Sequence, residues 1–329
     1  MKYIIIPLLI AMVAMLSCGN AKSGRQQDDK AQGQEASVPA FDADSAYAHV
    51  KAQVDFGPRV PGSKGHSACA EWLIAKLTSY GAEMHVQRVE LYRYDGVALP
   101  AVNIIASFDP SNAKRVMLCA HWDTRPWADN DDDEGNFHTP ILGANDGASG
   151  VGVLLEIARL VSTQHPAVGV DIMLFDAEDS GTPRFDQANY DDNSWCLGSR
   201  YWAFNPHKAG YTARYGLLLD MVGAADAVFF REGFSHDYAS PIIDKVWGKA
   251  ADMGYSHLFV NDFGGYINDD HVPVNEIARI PCVDIIHNDP TSTGFGTFWH
   301  TVGDDMSVID KQMLGIVGAV VTNVIYNEK

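Results

Sequence analysis

Positive charge is scarce in this chain, which has 24 lysine and arginine residues against 42 aspartate and glutamate residues and a formal net charge of -18. This balance argues against non-specific nucleic-acid binding, because an acidic protein repels the phosphate backbone. A glycine-rich phosphate loop is missing as well. Gly143, Gly147, Gly150 and Gly152 fit neither the GxGxxG pattern nor the GKS or GKT pattern. We therefore expect no nucleic-acid partner.

Cysteine is also scarce, with five residues in the chain. Cys69, Cys119, Cys196 and Cys282 show no paired spacing, so the sequence predicts no particular disulfide. Cys119 and Cys282 lie in apolar, strand-like runs where a buried free thiol is common. No cysteine adjoins the acidic and histidine motifs in the sequence, which argues against a cysteine nucleophile.

The apolar run at residues 4–16 is too short for a comfortable membrane span and follows the positive charge of Lys2. It ends at a Ser-Cys pair that resembles the lipobox of bacterial lipoproteins, although Met15 stands where leucine is usual. We predict a lipoprotein signal peptide at residues 1–17 and lipidation of Cys18. A plain secretory signal with cleavage nearby is the alternative.

Residues 18–40 carry mainly Gln, Ala, Ser and charged residues, and they predict a flexible tether. The folded domain is expected at residues 41–329. These boundaries describe an exported, periplasmic protein that contacts the membrane only through its lipidated Cys18.

Within residues 41–329, apolar strand-like runs alternate with helical patterns. The predicted strands are residues 84–91, 102–108, 115–120, 168–175, 215–219 and 280–286, and the predicted helices are residues 66–79, 147–161, 196–204, 238–253 and 307–326. This alternation predicts a single α/β domain with a central, twisted, mostly parallel sheet and helices on both faces.

Acids and histidines stand at the ends of these strands or the starts of helices. They are His121, Asp146, Asp179, Asp220 and His300. The carboxyl ends of parallel strands meet at one crevice, where a His and Asp cluster is typical of a zinc site. If all five bind, the site holds two zinc ions that share one carboxylate and hydrolyse amide bonds. If only three bind, one zinc keeps an open position.

Glu178 directly precedes the candidate ligand Asp179. Adjacent side chains diverge, so both cannot easily bind one ion, and Glu178 is free to act as a general base. Two long loops, residues 126–140 and 182–195, are expected at the rim of the crevice. The first is acidic, but Glu134 stands where an EF-hand calcium loop needs glycine.

The order of these motifs resembles the aminopeptidase-like zinc hydrolase superfamily. Within it, the chain is most similar to the glutaminyl-peptide cyclotransferases, the animal-type glutaminyl cyclases that Bacteroidetes bacteria also carry. The similarity extends from about residue 41 to the end of the chain. It is carried by residues 56–63, 121–129, 175–179, 197–200, 218–223, 269–273 and 298–301.

The resemblance implies one zinc ion per chain, held by Asp146, Asp179 and His300. Most animal members have glutamate where this chain has Asp179, so the backbone must approach the ion more closely. Glu178 matches the family's general acid/base. The remaining matched residues are two hydrogen-bonding acids and three aromatic pocket residues, namely Asp220, Asp269, Trp195, Phe295 and Trp299.

The implied activity is conversion of an N-terminal Gln of peptides or proteins into pyroglutamate, with release of ammonia. One alternative is a two-zinc aminopeptidase of the same fold, in which His121 and Asp220 complete a second metal site. Another is a non-catalytic binding lipoprotein on the same scaffold, but such a protein would be expected to have lost ligands or the base.

Overall fold

The computed structural model describes residues 38–329. The predicted signal peptide at residues 1–17, the lipidation of Cys18 and nearly all of the tether lie outside the described residues and stay predictions. Val38 and Phe41 already pack against the main hydrophobic core. Within residues 38–329, no helix combines the length and the apolar character needed to cross a bilayer.

A six-stranded sheet forms the centre of the fold. Its members in chain order are β1 (Glu83–Tyr92), β2 (Ala98–Phe108), β3 (Arg115–His121), β4 (Gly169–Phe175), β5 (Gly216–Asp220) and, after two short strands β6 (Phe229–Arg231) and β7 (Phe259–Phe263), β8 (Cys282–Ile286). The spatial order is β1-β2-β4-β3-β5-β8, and β6 pairs with β7 separately. The strands β4, β3, β5 and β8 are mutually parallel, whereas β2 is antiparallel to both of its neighbours, β4 and the edge strand β1. The predicted mostly parallel sheet is confirmed.

In the described part of the chain, seven α-helices surround the sheet: α1 (Ala43–Val54), α2 (Lys64–Ser79), α3 (Ala148–Thr163), α4 (Leu197–Phe204), α5 (Gly233–Asp252), α6 (His271–Glu276) and α7 (Lys311–Tyr326). Short 3-10 segments occupy Glu134–Asn136, Arg184–Asn189 and Asp192–Ser194 in the two long loops.

Alternate residues of β3 face opposite sides of the sheet, as the pleat requires. Val116 and Leu118 join the larger core, which α3 and α7 cover. Met117 and Cys119 join the smaller core, to which α4 and α6 contribute Trp202 and Val274. Helices therefore cover both faces, and the predicted α/β architecture is confirmed.

Every predicted strand and helix is present, with differences at the ends. The helix predicted from residue 238 is preceded by a further helical segment from Gly233, and the two meet at a kink where Ala239 has a non-helical φ of -138°. The Glu232 carboxylate caps the first segment by accepting from the backbone N–H groups of Phe234 and Ser235. The helix predicted from residue 307 begins at Lys311, after the Asp310 cap. Four elements were not predicted from the sequence, namely α1, α6, β6 and β7. Three of these are short, and β6 and β7 pair only with each other, so their patterns are weak.

Candidate active site

The predicted site residues converge at the carboxyl edge of the parallel strands. His121 ends β3, Asp220 ends β5, and Glu178 with Asp179 follows β4. Because β4, β3 and β5 are adjacent and parallel, these side chains reach the same edge. Asp146 comes just before α3, and His300 comes from the loop between β8 and α7.

Asp146, Asp179 and His300 form a buried group of potential metal ligands. The Nε2 atom of His300 lies 3.2 Å from Asp179 Oδ1 and 3.5 Å from Asp146 Oδ2. Tetrahedral zinc, with bonds of about 2.0–2.2 Å, separates its ligand atoms by roughly 3.3 Å. The Oδ2 atom of Asp179 is buried without a hydrogen-bond partner. The nitrogen and oxygen donors therefore fit zinc, which Asp146, Asp179 and His300 would hold.

A second group, His121, Asp146 and Asp220, shares Asp146 with the first. His121 Nε2 lies 3.0 Å from Asp146 Oδ1 and 3.2 Å from Asp220 Oδ1, which are also hydrogen-bond distances. All five residues predicted as possible ligands are thus brought together, in the two sets that the one-zinc and two-zinc alternatives require.

Glu178 is buried beside this centre. Burial raises the pKa of Glu178 well above its usual range against the opposing charge of His121, and the charges of Asp179 and Asp269 add to the rise. The Sγ atom of Cys196 donates to its Oε1 atom at 3.5 Å, a proximity that the sequence spacing did not indicate. Burial also raises the pKa of the Cys196 thiol well above its ordinary value, so this thiol stays protonated and is a poor nucleophile.

The three predicted aromatic residues line one pocket of about 280 Å³ together with Glu178 and the potential ligands. The Trp299 ring stacks on His300 with centroids 3.8 Å apart, and the Phe295 ring lies 4.8 Å from Trp299. Trp195 packs over Gly181, where a Cβ atom would lie only 2.1 Å from the indole ring. Trp195 ends the loop predicted at the rim, so this loop does reach the pocket.

Backbone strain accumulates at the same place. Ala177, Met221 and His300 adopt positive φ values of 55°, 49° and 55°, a region that residues other than glycine rarely occupy. Ala177 precedes Glu178, and Met221 follows Asp220. Such strain persists only where the surrounding structure imposes it, and it clusters at functional sites.

The family model for Peptidase family M28 matches residues 103–325. The chain belongs to Peptidase family M28.

Solved structures of similar sequence cover nearly the whole of this M28 chain. A glutaminyl cyclase of Bacteroides thetaiotaomicron, solved with N-acetylhistamine bound, is 57% identical, covers 89% of this chain and 100% of its own, and superposes with a TM-score of 0.87. A Zn-dependent exopeptidase of Parabacteroides distasonis is 52% identical, with coverages of 88% and 100% and a TM-score of 0.87.

A more distant relative is the glutaminyl-peptide cyclotransferase of Drosophila melanogaster. It is 24% identical over 276 residues, which cover 77% of this chain and 72% of the relative. Family membership, together with the donor set of Asp146, Asp179 and His300, identifies zinc as the metal of this M28 site.

Two acids that were not predicted from the sequence accept hydrogen bonds from backbone N–H groups of the M28 site. The Asp123 carboxylate accepts from the backbone N–H groups of Glu178 and Asp179, at 3.1 and 3.3 Å. The Asp304 carboxylate likewise accepts from the N–H groups of Asn145 and Asp146, at 2.7 and 3.0 Å. Both acids are buried, and each orients the backbone at a potential metal ligand. Asp123 lies within residues 121–129, which carry part of the family resemblance, but its role depends on this contact.

Arg125 is a further residue whose role was missed. Its guanidinium binds both carboxylate oxygens of Asp129, at 2.6 and 2.7 Å, and donates to Asp179 Oδ1 at 3.2 Å. It also lies under the Trp195 ring, 4.6 Å from the centroid. This buried cation therefore links a potential zinc ligand to the aromatic wall.

Asp220 and Asp269, predicted as hydrogen-bonding acids, adjoin the same pocket. Burial, together with the nearby Asp269 charge, raises the pKa of Asp220 to about 7 against the hydrogen bond from His121. Asp269 belongs to a buried group with His271 and Asp284. Both carboxylate oxygens of Asp284 lack a hydrogen-bond partner among the described residues. The motif at residues 269–273 hinted at this region, but nothing in the sequence singled out Asp284.

Proposed function

We propose that the chain is a zinc-dependent glutaminyl-peptide cyclotransferase, which converts an N-terminal Gln of peptides or proteins into pyroglutamate and releases ammonia. The observation that carries this proposal is the presence of Glu178 in one aromatic-walled pocket with Asp146, Asp179 and His300. The similarity to the Bacteroides thetaiotaomicron glutaminyl cyclase, 57% identical over nearly the full chain, supports the same conclusion.

An N-terminal Gln contains both reactants, since its α-amine is the nucleophile and its γ-carboxamide carbon is the electrophile. A zinc ion held by Asp146, Asp179 and His300 would supply Lewis-acid polarisation of the γ-carbonyl. Glu178 accepts the proton that the amine loses as the new C–N bond forms. It then returns a proton to the departing nitrogen, so that ammonia leaves as the old C–N bond breaks.

The aromatic residues have a positioning task in this reaction. The side chain must fold back onto the amine, and a close-fitting pocket lowers the entropic cost of that conformation. Trp195, Phe295 and Trp299 provide apolar walls for the compact ring that forms. These walls also exclude water, which would otherwise hydrolyse the amide.

We further propose one zinc ion per chain. No activated water is needed for cyclisation, so a second ion has no task. The Nε2 atom of His121 lies within hydrogen-bond distance of Asp146 and Asp220, so these three residues have partners in one another without a second metal ion. Elemental analysis of purified protein should find about one zinc per chain. A content near two would favour the aminopeptidase alternative.

The alternative of a two-zinc aminopeptidase rests on the same three residues, since His121, Asp146 and Asp220 are also close enough to be ligands. The zinc-loaded protein incubated with a Gln-initiated and a Leu-initiated peptide separates the two functions. Mass spectrometry should show loss of ammonia from the first peptide. Release of free Leu from the second would identify an aminopeptidase. If neither peptide changes in mass, the remaining alternative is the non-catalytic binding lipoprotein.

We propose, from residues outside the described part of the chain, that the enzyme is exported, periplasmic and anchored through lipidated Cys18. The support is the charged start, the short apolar run and the Ser-Cys pair of residues 1–18. The full-length protein expressed in a bacterial host should partition into the detergent phase of a detergent–water mixture. The Cys18→Ala variant should not be lipidated. Metabolic labelling with palmitate checks this, and an unlabelled wild-type protein would refute the proposal.

A further inference from the structure

Two tyrosines stand at the mouth of the active-site pocket and have no part in the proposed chemistry. Tyr190, from the loop at residues 182–195, and Tyr266, from the segment between β7 and α6, both line the pocket. Their exposed fractions are 52% and 58%, so both rings are accessible to a ligand. The pocket floor, with Glu178 and His300, belongs to the same cavity.

Both phenol groups are fixed by carboxylates. The Tyr266 hydroxyl donates to Asp237 Oδ2 at 3.0 Å, and the Tyr190 hydroxyl donates to Asp192 Oδ1 at 2.7 Å. The side chain of Asn268 donates to the Asp192 carbonyl at 3.1 Å, so the two sides of the mouth are connected.

The Tyr266 ring is also held by packing. It meets Phe234 and Phe263 edge to face, with centroids 5.0 and 5.6 Å apart. The first residue of α5, Gly233, leaves room for the ring, since a Cβ atom there would lie 2.5 Å from Tyr266 Cδ1. A ring that is already ordered loses little conformational entropy when it binds a ligand.

We propose that Tyr190 and Tyr266 form a subsite for the side chain of the second substrate residue, and that this subsite prefers an aromatic or large apolar side chain. The inference rests on the proposed function. If the N-terminal Gln lies at Glu178 and His300, the peptide must leave through the mouth, so its next side chain passes the two rings. Aromatic side chains stack on or against such rings favourably.

The charges at the mouth predict a second preference. Among the described residues that line the pocket there is no lysine or arginine, whereas five are acids. Asp192 and Asp237 add negative charge beside the tyrosine hydroxyls. An acidic second residue at the two rings would meet repulsion from the Asp192 and Asp237 carboxylates, so it should be the poorest substrate.

The test compares kcat/KM for Gln-Phe-Ala, Gln-Gly-Ala and Gln-Glu-Ala with the zinc-loaded enzyme. For wild type we expect the Phe peptide to exceed the Gly peptide by about fivefold, mainly through KM, and the Glu peptide to be poorest. Tyr266→Ala should lower kcat/KM for the Phe peptide more than for the Gly peptide, so that the Phe-to-Gly ratio falls towards one. Tyr190→Ala should act in the same direction.

Tyr92→Ala is the matched control, because Tyr92 is 61% exposed and its hydroxyl also donates to a carboxylate, that of Glu90, but it does not line the pocket. This variant should keep the wild-type ratio. Tyr266→Phe keeps the ring and should keep most of the preference. Equal kcat/KM for the Phe and Gly peptides, or a ratio unaffected by both alanine variants at the mouth, would overturn the subsite. Failure to cyclise any of the three peptides would instead refute the proposed function.

Discussion

The position of Asp179, a potential zinc ligand, depends on the residues that contact it. The resemblance expected glutamate here, and the shorter aspartate needs a backbone that lies closer to the ion. The structure provides two restraints, the hydrogen bond from the Asp179 N–H group to Asp123 and the Arg125 guanidinium against its side chain. At the residue scale, the proposed zinc site thus depends on charged neighbours that were not recognised from the sequence.

Replacement of Glu178 by Gln tests the general acid/base. The amide has nearly the same shape but cannot carry the proton, so we expect turnover of a Gln-initiated peptide to fall by about a hundredfold or more. Zinc content should stay at the wild-type level, because Glu178 is not proposed as a ligand. Ammonia release and elemental analysis measure the two effects. A variant that turns over within a few-fold of wild type would remove Glu178 from the mechanism.

Arg125→Lys tests the positioning of Asp179. Lysine keeps the charge but cannot bind Asp129 with two parallel hydrogen bonds and also reach Asp179. We expect zinc affinity, measured by competition with a chelator, to weaken by about tenfold or more. The matched control is Arg184→Lys, since the Arg184 side chain donates to Asn130 and not to a potential ligand. Equal zinc affinity in the two variants would contradict the role of Arg125.

At the scale of elements, the start of α3 places Asp146. The residue between Asp146 and the helix, Gly147, has a φ of 91°, and a Cβ atom there would lie 2.9 Å from the Asp123 carbonyl oxygen and 3.0 Å from His121 Cε1. Only glycine permits both this backbone conformation and this approach. The helix start is therefore fitted against the end of β3.

Gly147→Ala should lower the free energy of unfolding by about 3 kcal/mol and reduce turnover as well, because strain and steric overlap act together at the metal site. Gly81→Ala separates the two effects, since Gly81 has a φ of 82° with open space around its Cβ position. The control should lose only about 1 kcal/mol and keep its activity. Urea unfolding measures the stability of the two variants. Equal losses in the free energy of unfolding would show that the steric overlap at Gly147 is relieved without cost.

At the scale of the whole molecule, stability should depend on pH through groups far from the metal. Burial, followed by the charge of Lys76, lowers the pKa of His49 on α1 from 6.5 to about 4. Below pH 6.5 the unfolded chain binds a proton at this imidazole, whereas the folded chain does not until about pH 4. Its effect is absent above pH 6.5, and acidification then progressively favours unfolding.

His49→Gln should therefore lose less stability than wild type on acidification. The difference between the two free energies of unfolding should change by up to about 3 kcal/mol between pH 7.5 and pH 4. Urea titrations at both pH values measure this difference, and the pair at pH 7.5 accounts for any packing effect of the substitution. A difference that does not vary with pH would show that His49 titrates alike in both states.

Much of the architecture was predictable because its signals are local. Val116, Leu118 and Ala120 alternate with Met117 and Cys119 on β3, and apolar residues recur at helical spacing in α3, so element type follows from a short window of sequence. The start of α5 was less predictable, because the Glu232 cap lies outside the apolar pattern. The short strands β6 and β7 were not predictable from local sequence, because each pairs only with the other.

Within the site, the sequence by itself determined that His121, Asp179 and Asp220 share one edge, since they lie at or just after the ends of parallel strands. Asp146, before α3, and His300, from the loop between β8 and α7, reach that edge through the tertiary structure. The tertiary structure decided what surrounds them. Groups distant along the chain meet at the site. The hydrogen bonds of Asp123, Asp304 and Arg125 reach residues far from them in sequence. The Tyr190 and Tyr266 rings line the same pocket as the potential ligands. Such contacts depend on how whole elements pack, and local composition carries little information about them.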